Sequence, residues 1–326
     1  VLPLFPHLFQ VGQAELCLLP VLRDYQDIPL AQIPKSPMIP QEILDSIPRK
    51  FLDLQYANHN ERCKLDIYLP PEASPENRVP CLIQIHGGGF VNGDKRDMSN
   101  TTFLGVINHG YAYVSVEYRP ANEAEFPKPI HDCKAAIRWI KAHAGEYGID
   151  PARIAVTGNS SGGNYSLLVA TTNNLTFFED KSMGNPGYDS SVQACIALYP
   201  VINSSSIIEE RVMNGTSDGS PATMDAAECK YLGARIVDLD YAFVQKSNPG
   251  QYITPQICPI MLRQGMADKP VPYQQAVVFA EQVRQCAGED RIDFALVEGA
   301  GHADPPFKQP IILEQALTFL NKYLKN

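Results

Sequence analysis

From residue 80 onward the chain alternates short apolar runs with segments of helical period, and this alternation leaves few folds open. The runs are 81–85 (CLIQI), 112–117 (AYVSVE), 153–157 (RIAVT), 194–199 (ACIALY), 260–264 (IMLRQ) and 292–297 (IDFALV). Between them, 129–144, 161–171, 273–286 and 311–324 read as helices; Ile130, Cys133, Ala136, Ile137 and Ile140 mark one face of the first. Strands alternating with helices predict an α/β domain with a mostly parallel central sheet flanked by helices. In such sheets chemistry collects at the carboxyl ends of the strands.

Three regions depart from the alternation. Residues 1–50, rich in Pro and Leu and without clear period, are expected to form an N-terminal arm or lid segment. Residues 52–57 and 64–70, around the polar turn His59-Asn60-Glu61, predict an antiparallel hairpin that opens the main domain, 51–326. Residues 202–255, with Ser204-Ser205-Ser206, Gly215, Gly219 and Pro221, are too long for a simple connection. They predict a cap inserted over the carboxyl edge of the sheet, with a helical patch around 222–234.

Composition excludes several classes. In the 326 residues, 27 Lys and Arg face 36 Asp and Glu, a formal charge of −9. No basic cluster suits nucleic-acid phosphates. No run approaches the roughly 18 apolar residues of a membrane span. The start at Val1 shows no signal-peptide pattern, so a cytoplasmic location is expected, or a secreted one if a leader was removed before Val1. Of eight cysteines, none are spaced for zinc; Cys81, Cys195 and Cys258 lie in or beside apolar runs, as buried thiols in a reducing compartment would. His131 and His143 are twelve residues apart, which does not suit a metal pair. No metal and no cofactor is expected.

The sharpest local signal is Gly158-Asn159-Ser160-Ser161-Gly162, directly after RIAVT and before a helix-competent stretch. This G-x-S-x-G pattern places a serine on a tight strand-to-helix turn, with glycines where side chains would collide. The second signal is His86-Gly87-Gly88-Gly89-Phe90, directly after CLIQI. Serine attack on a carbonyl creates an oxyanion, and glycines let a loop aim backbone N–H groups at it. A plain glycine turn is the other reading of that loop alone. No phosphate-binding or dinucleotide glycine pattern is present.

A serine nucleophile in this context needs an acid and then a histidine. Among seven histidines, His302 alone follows Ser160, on the loop Glu298-Gly299-Ala300-Gly301 after IDFALV. Asp268 follows IMLRQ through Gly265-Met266-Ala267, at a carboxyl end, and is the expected acid. Its rivals are Asp293, inside a strand, Asp304, close enough to His302 to be only a local partner, and Glu298. Arg119 and Asp132 are expected to form a buried structural pair. The sequons at Asn100, Asn174 and Asn214 are read as fortuitous, and Tyr231, Tyr241, Phe243 and Tyr252 as packing of the cap onto the core.

The segments HGGGF (86–90), 117–140, 148–164, GMADKPVP (265–272) and GAGH (299–302) resemble the α/β-hydrolase fold. Within it they are similar to hormone-sensitive-lipase-like esterases and bacterial acetyl and feruloyl carbohydrate esterases, from about Lys64 to the C-terminus. The resemblance implies a carboxylesterase with Ser160, Asp268 and His302 as triad and backbone N–H donors at Gly88, Gly89 and Ser161. It implies short acyl esters as substrates, acetylated xylan or mannan oligosaccharides first and feruloyl esters second. A generic short-chain esterase, a peptidase of the same fold and a non-catalytic hydrolase-fold binding protein are the other readings. Two departures from the family pattern stand out: Asn159-Ser160-Ser161 replaces Asp-Ser-Ala, and YRPA replaces YRLA.

Overall fold

A computed structural model describes residues 36–173 and 175–325. Residues 1–35 of the expected arm, with His7 and Cys17, and Asn174 of one sequon lie outside the described residues. Eight strands form one sheet in the order β1-β2-β4-β3-β5-β6-β7-β8. They are β1 (Lys50–Gln55), β2 (Lys64–Tyr68), β3 (Val79–Ile85), β4 (Ala112–Val116), β5 (Ile149–Asn159), β6 (Ala194–Leu198), β7 (Ile260–Gly265) and β8 (Ile292–Val297). β1 and β2 form the expected antiparallel hairpin, β2 pairs antiparallel with β4, and every later pairing is parallel.

The helices are α1 (Gln41–Asp45), α2 (Lys128–Tyr147), α3 (Ser161–Thr171), α4 (Ile207–Met213), α5 (Ala227–Leu232), α6 (Tyr241–Gln245), α7 (Gln274–Ala287) and α8 (Pro310–Leu324). A 3-10 segment, Met98–His109, was not legible as a helix in the sequence. Side chains alternate across a strand, so β3 sends Cys81, Ile83 and Ile85 into a core shared with α2, α3 and α7. Leu82 points to the opposite core, closed by the 3-10 segment and α8. Burial on both faces explains why the central strands read as unbroken apolar runs. β1, at the edge, alternates half-buried and exposed residues.

The five apolar positions expected on the first helix are all buried, and α2 ends at Gly148, whose φ of 67° suits a glycine terminator. Cys81, Cys195 and Cys258 are buried free thiols, and Arg119 grips Asp132 through Nε at 2.8 Å, as expected. Asn100 is also buried, bonded to Asp94 O and close to Gln84. Residues 202–255 carry α4, α5 and α6. They attach to the domain through Arg211 to Pro270 O at 2.9 Å, Asn164 to Ser247 O at 3.2 Å, and Tyr231 stacked on Phe90 at 4.2 Å. No helix among the described residues is long and apolar enough to cross a membrane.

Candidate active site

β5 ends in the turn that the glycine-flanked serine predicted. Ser160 has φ 54° and ψ −123°, a conformation that a non-glycine residue adopts only when its surroundings impose it. The surroundings are specific. Ser160 N–H donates to Leu198 O at 3.0 Å, and Ser160 O accepts from Asn164 N–H at 3.2 Å. A Cβ on Gly158 would lie 2.2 Å from Gly162 O, and one on Gly162 would lie 2.3 Å from His86 O and from Ile85 O. The flanking glycines are therefore required by close backbone approach. Ser160 stands at the amino end of α3, where Ser161 N–H has no acceptor within the helix.

Three of the sequence-predicted side chains meet here. Ser160 Oγ lies 2.8 Å from His302 Nε2, and His302 Nδ1 lies 2.7 Å from Asp268 Oδ2. Asp268 arrives from the carboxyl end of β7 and His302 from the loop after β8. Asp268 is buried; Oδ2 also accepts from Gln264 Nε2 at 2.9 Å, and Oδ1 accepts from Val271 N–H at 2.8 Å. A carboxylate only accepts, so Nδ1 must carry the ring proton. Nε2 is then left to accept from the Ser160 hydroxyl. The rivals go elsewhere: Asp304 Oδ2 accepts from Gly301 N–H at 2.6 Å, Asp293 pairs with Arg263 at 2.9 Å, and Glu298 is exposed.

The glycine loop after β3 faces the same turn. Gly88, Gly89 and Phe90 have φ of 128°, 60° and 65°. A Cβ on Gly88 would fall 2.1 Å from Asn92 O, and one on Gly87 would fall 2.6 Å from Asn159 O. Among the described residues no hydrogen bond occupies the N–H of Gly88 or Gly89.

Beneath the loop lies a buried histidine–carboxylate pair that the sequence did not signal beyond its motif. His86 Nδ1 donates to Gly87 O at 2.8 Å, its ring stacks on Tyr118 at 4.1 Å, and Nε2 faces Glu117 Oε1 at 3.5 Å. Burial alone would discharge His86, but the Glu117 carboxylate outweighs it and holds the imidazole pKa above its ordinary value. Glu117, buried too, is held below the usual carboxylate range chiefly by His86. With Nδ1 on Gly87 O and Nε2 turned toward Glu117, the His86 ring braces the first carbonyl of the glycine loop.

These elements line a cleft of about 1150 Å³. Its walls include Gly87–Gly89, Ser160, Tyr199, His302, Asp97 and Arg62. Ser36, Pro37 and Met38 line it too, and Met98 N–H donates to Pro37 O at 2.8 Å. Burial pushes the Asp97 carboxyl up to about 6. The aromatic residues expected to pack the cap divide: Tyr231 is buried and Tyr241 is 70% exposed. Tyr199 was missed as a site residue. Its place directly after the run ACIAL, at a strand's carboxyl end, was the available signal.

The BD-FAE family model matches residues 65–283. The probable carboxylic ester hydrolase LipM of Mycobacterium tuberculosis is 29% identical over 260 residues, 79% of this chain and 55% of LipM. The chain spans about half the length of the curated relatives it matches. A truncated carbohydrate esterase from gut microbiota superposes with a TM-score of 0.76 at 24% identity, over 86% of this chain and 98% of that one. A bifunctional GH43-CE protein of Bacteroides eggerthii superposes with a TM-score of 0.72 at 27% identity, over 84% of this chain and 38% of that one. The likenesses agree with the α/β-hydrolase fold that the sequence predicted.

Proposed function

The chain belongs to the BD-FAE family, and from that premise we propose that it is a serine carboxylic ester hydrolase with Ser160 as nucleophile, His302 as base and Asp268 as its orienting carboxylate. The hydrogen-bonded series Asp268–His302–Ser160, ending at a left-handed serine, carries this reading. His302 Nε2 takes the Ser160 proton as Oγ bonds to the ester carbonyl carbon. The oxyanion is held by the N–H groups of Gly88, Gly89 and Ser161. His302 returns the proton to the leaving alcohol as the ester C–O bond breaks, and water then repeats the sequence on the acyl-enzyme. Removing one such donor typically costs roughly 100- to 1000-fold in rate. His86 and Glu117 hold the glycine loop in place from below.

The proposed substrates are short acyl esters on an oligosaccharide, acetylated xylan or mannan fragments first. The cleft is larger than a small ester requires and mixes carboxylates, cations and glycine backbone, which suits a polar alcohol part. The likeness to proteins named carbohydrate esterases supports the same choice. We take residues 51–326 as the catalytic unit, 1–50 as an arm whose residues 36–38 reach the cleft, and 202–255 as a cap insertion. Buried free thiols at Cys63, Cys81, Cys133, Cys195 and Cys258 favour a cytoplasmic location.

The test is an activity panel of acetylated xylan and mannan oligosaccharides, methyl ferulate and p-nitrophenyl esters of increasing length, for the wild type and Ser160→Ala. Acetate release from the oligosaccharides by the wild type, absent in a folded Ser160→Ala, is the expected result. Faster ferulate release would replace acetyl by feruloyl esters. Failure of the wild type both to turn over any ester and to react with a fluorophosphonate would make it a binding protein.

A further inference from the structure

Tyr199 follows β6 directly and sits next to the Leu198 carbonyl that accepts from Ser160 N–H. Its φ is 38°, and an aromatic residue holds a left-handed backbone only where its surroundings over-determine it. Tyr199 N–H donates to Arg263 O at 2.7 Å, and the residue is buried. Its ring lies 4.9 Å from the His302 imidazole with planes 70° apart, and 4.6 Å from the Phe307 ring at 62°. The loop that carries His302 therefore folds around this one ring, meeting it twice.

That loop is tied by Gly301 N–H to Asp304 Oδ2 at 2.6 Å and by Ala267 N–H to Ala300 O at 2.9 Å, but neither bond touches the imidazole. Gly299 and Ala303 have left-handed φ of 68° and 58°, and a Cβ on Gly299 would meet nothing within 4 Å. Asp268 fixes the imidazole through Nδ1 and Ser160 Oγ meets Nε2, which leaves the tilt of the ring about these two bonds free. The aromatic edge-to-face contact removes this freedom, an arrangement with its own preferred geometry.

We propose that Tyr199 is a positioning residue: its ring, wedged between His302 and Phe307, holds the imidazole where Nε2 can take the Ser160 proton. The inference rests on the reading of Ser160 and His302 given above. A misplacement of about 1 Å at a reacting group can cost about 100-fold in rate, so a modest loss of this hold is measurable.

The experiment compares Tyr199→Leu, Tyr199→Phe and Ser160→Ala on p-nitrophenyl acetate, with thermal unfolding followed for each. Tyr199→Leu is expected to lower kcat about tenfold or more with KM within about twofold, and Tyr199→Phe to restore kcat to within about twofold. Should the leucine variant fail to fold, Tyr199→Met is measured against the same expectation. An unchanged kcat in the folded leucine or methionine variant overturns the inference. So does a rise in KM alone, which would make Tyr199 a substrate contact, and so does a phenylalanine variant as poor as leucine. If Ser160→Ala turns over like the wild type, the reading of the nucleophile falls, whatever Tyr199 does. A dead Ser160→Ala beside an unaltered Tyr199→Leu sinks the inference alone.

Discussion

Two buried polar clusters of this molecule make opposite use of similar groups. Behind α2, Glu179 is enclosed by Lys134 Nζ at 3.4 Å, Arg138 Nη1 at 2.5 Å and the Ser190 hydroxyl. Lys134 also donates to Thr172 O at 2.7 Å, and Arg138 to Asp180 O at 2.6 Å. Burial lowers the Lys134 pKa to about 8. Two cations share one carboxylate, backbone carbonyls accept from both of them, and the side chains are closed off, so this cluster can only hold α2 to the segment after α3. At the carboxyl edge of the sheet, Asp268 is equally buried, yet the series it starts runs outward through His302, whose side chain is 21% exposed, to a serine on the cleft. One cluster spends its polarity on closure. The other keeps an acceptor nitrogen and a strained hydroxyl where a substrate can reach them.

Substitutions can break or sharpen this contrast. The largest effect is expected from Asp268→Asn, which should cost about 10,000-fold in turnover of p-nitrophenyl acetate, because the amide favours the wrong imidazole tautomer. Steady-state kinetics check it, and a loss of tenfold or less would mean that Asp268 does not orient the base. Next is Glu179→Gln, which leaves Lys134 and Arg138 buried without their carboxylate and should destabilise the fold by about 3–5 kcal/mol. Chemical denaturation measures the loss, and reactivity of Ser160 toward a fluorophosphonate should persist while the variant is folded. A variant as stable as the wild type would show that the cluster is not a lock.

The smallest effect concerns Glu210 on α4, whose Oε2 has no hydrogen-bond partner among the described residues. Burial pushes its carboxyl up from 4.5 to about 7. As pH rises through that window, the unfolded chain gives up this proton first. The native state then binds more protons, and stability falls until the group is ionised in both states. Glu210→Gln should therefore be more stable than the wild type above pH 7, by on the order of 1 kcal/mol, and should match it near pH 4. Melting temperatures across that range decide it; a pH-independent difference would mean that the carboxyl does not titrate with folding.

Much of the scaffold was legible because it follows from local chemistry. The six apolar runs became β3 to β8; those of β3, β4, β6 and β7 read as apolar because both faces are buried, while β8, at the edge, is mostly half-buried. Gly158 and Gly162 could be read as close-approach positions because few other patterns place glycine two residues either side of a serine. His302 was reachable by chain order. The 3-10 segment at Met98–His109 was not, since it lacks an amphipathic stripe and takes its shape from packing against α8. Nor was the pairing of His86 with Glu117, or the role argued for Tyr199. Both depend on which strands lie side by side: β3 next to β4, and β6 between β5 and β7.

By itself the sequence determined the alternating architecture, the hairpin at its start, the glycine-lined turns and the residue types at the ends of β3, β5, β7 and β8. These are properties of short stretches, in which hydrophobic period and backbone sterics act within a few residues. Tertiary structure alone decided the separations of 2.7 and 2.8 Å that join Asp268, His302 and Ser160, the closure of Glu179 by two cations, and the seating of one loop around one tyrosine ring. Such distances are set by strand order and by packing between groups far apart along the chain, and no local pattern encodes them.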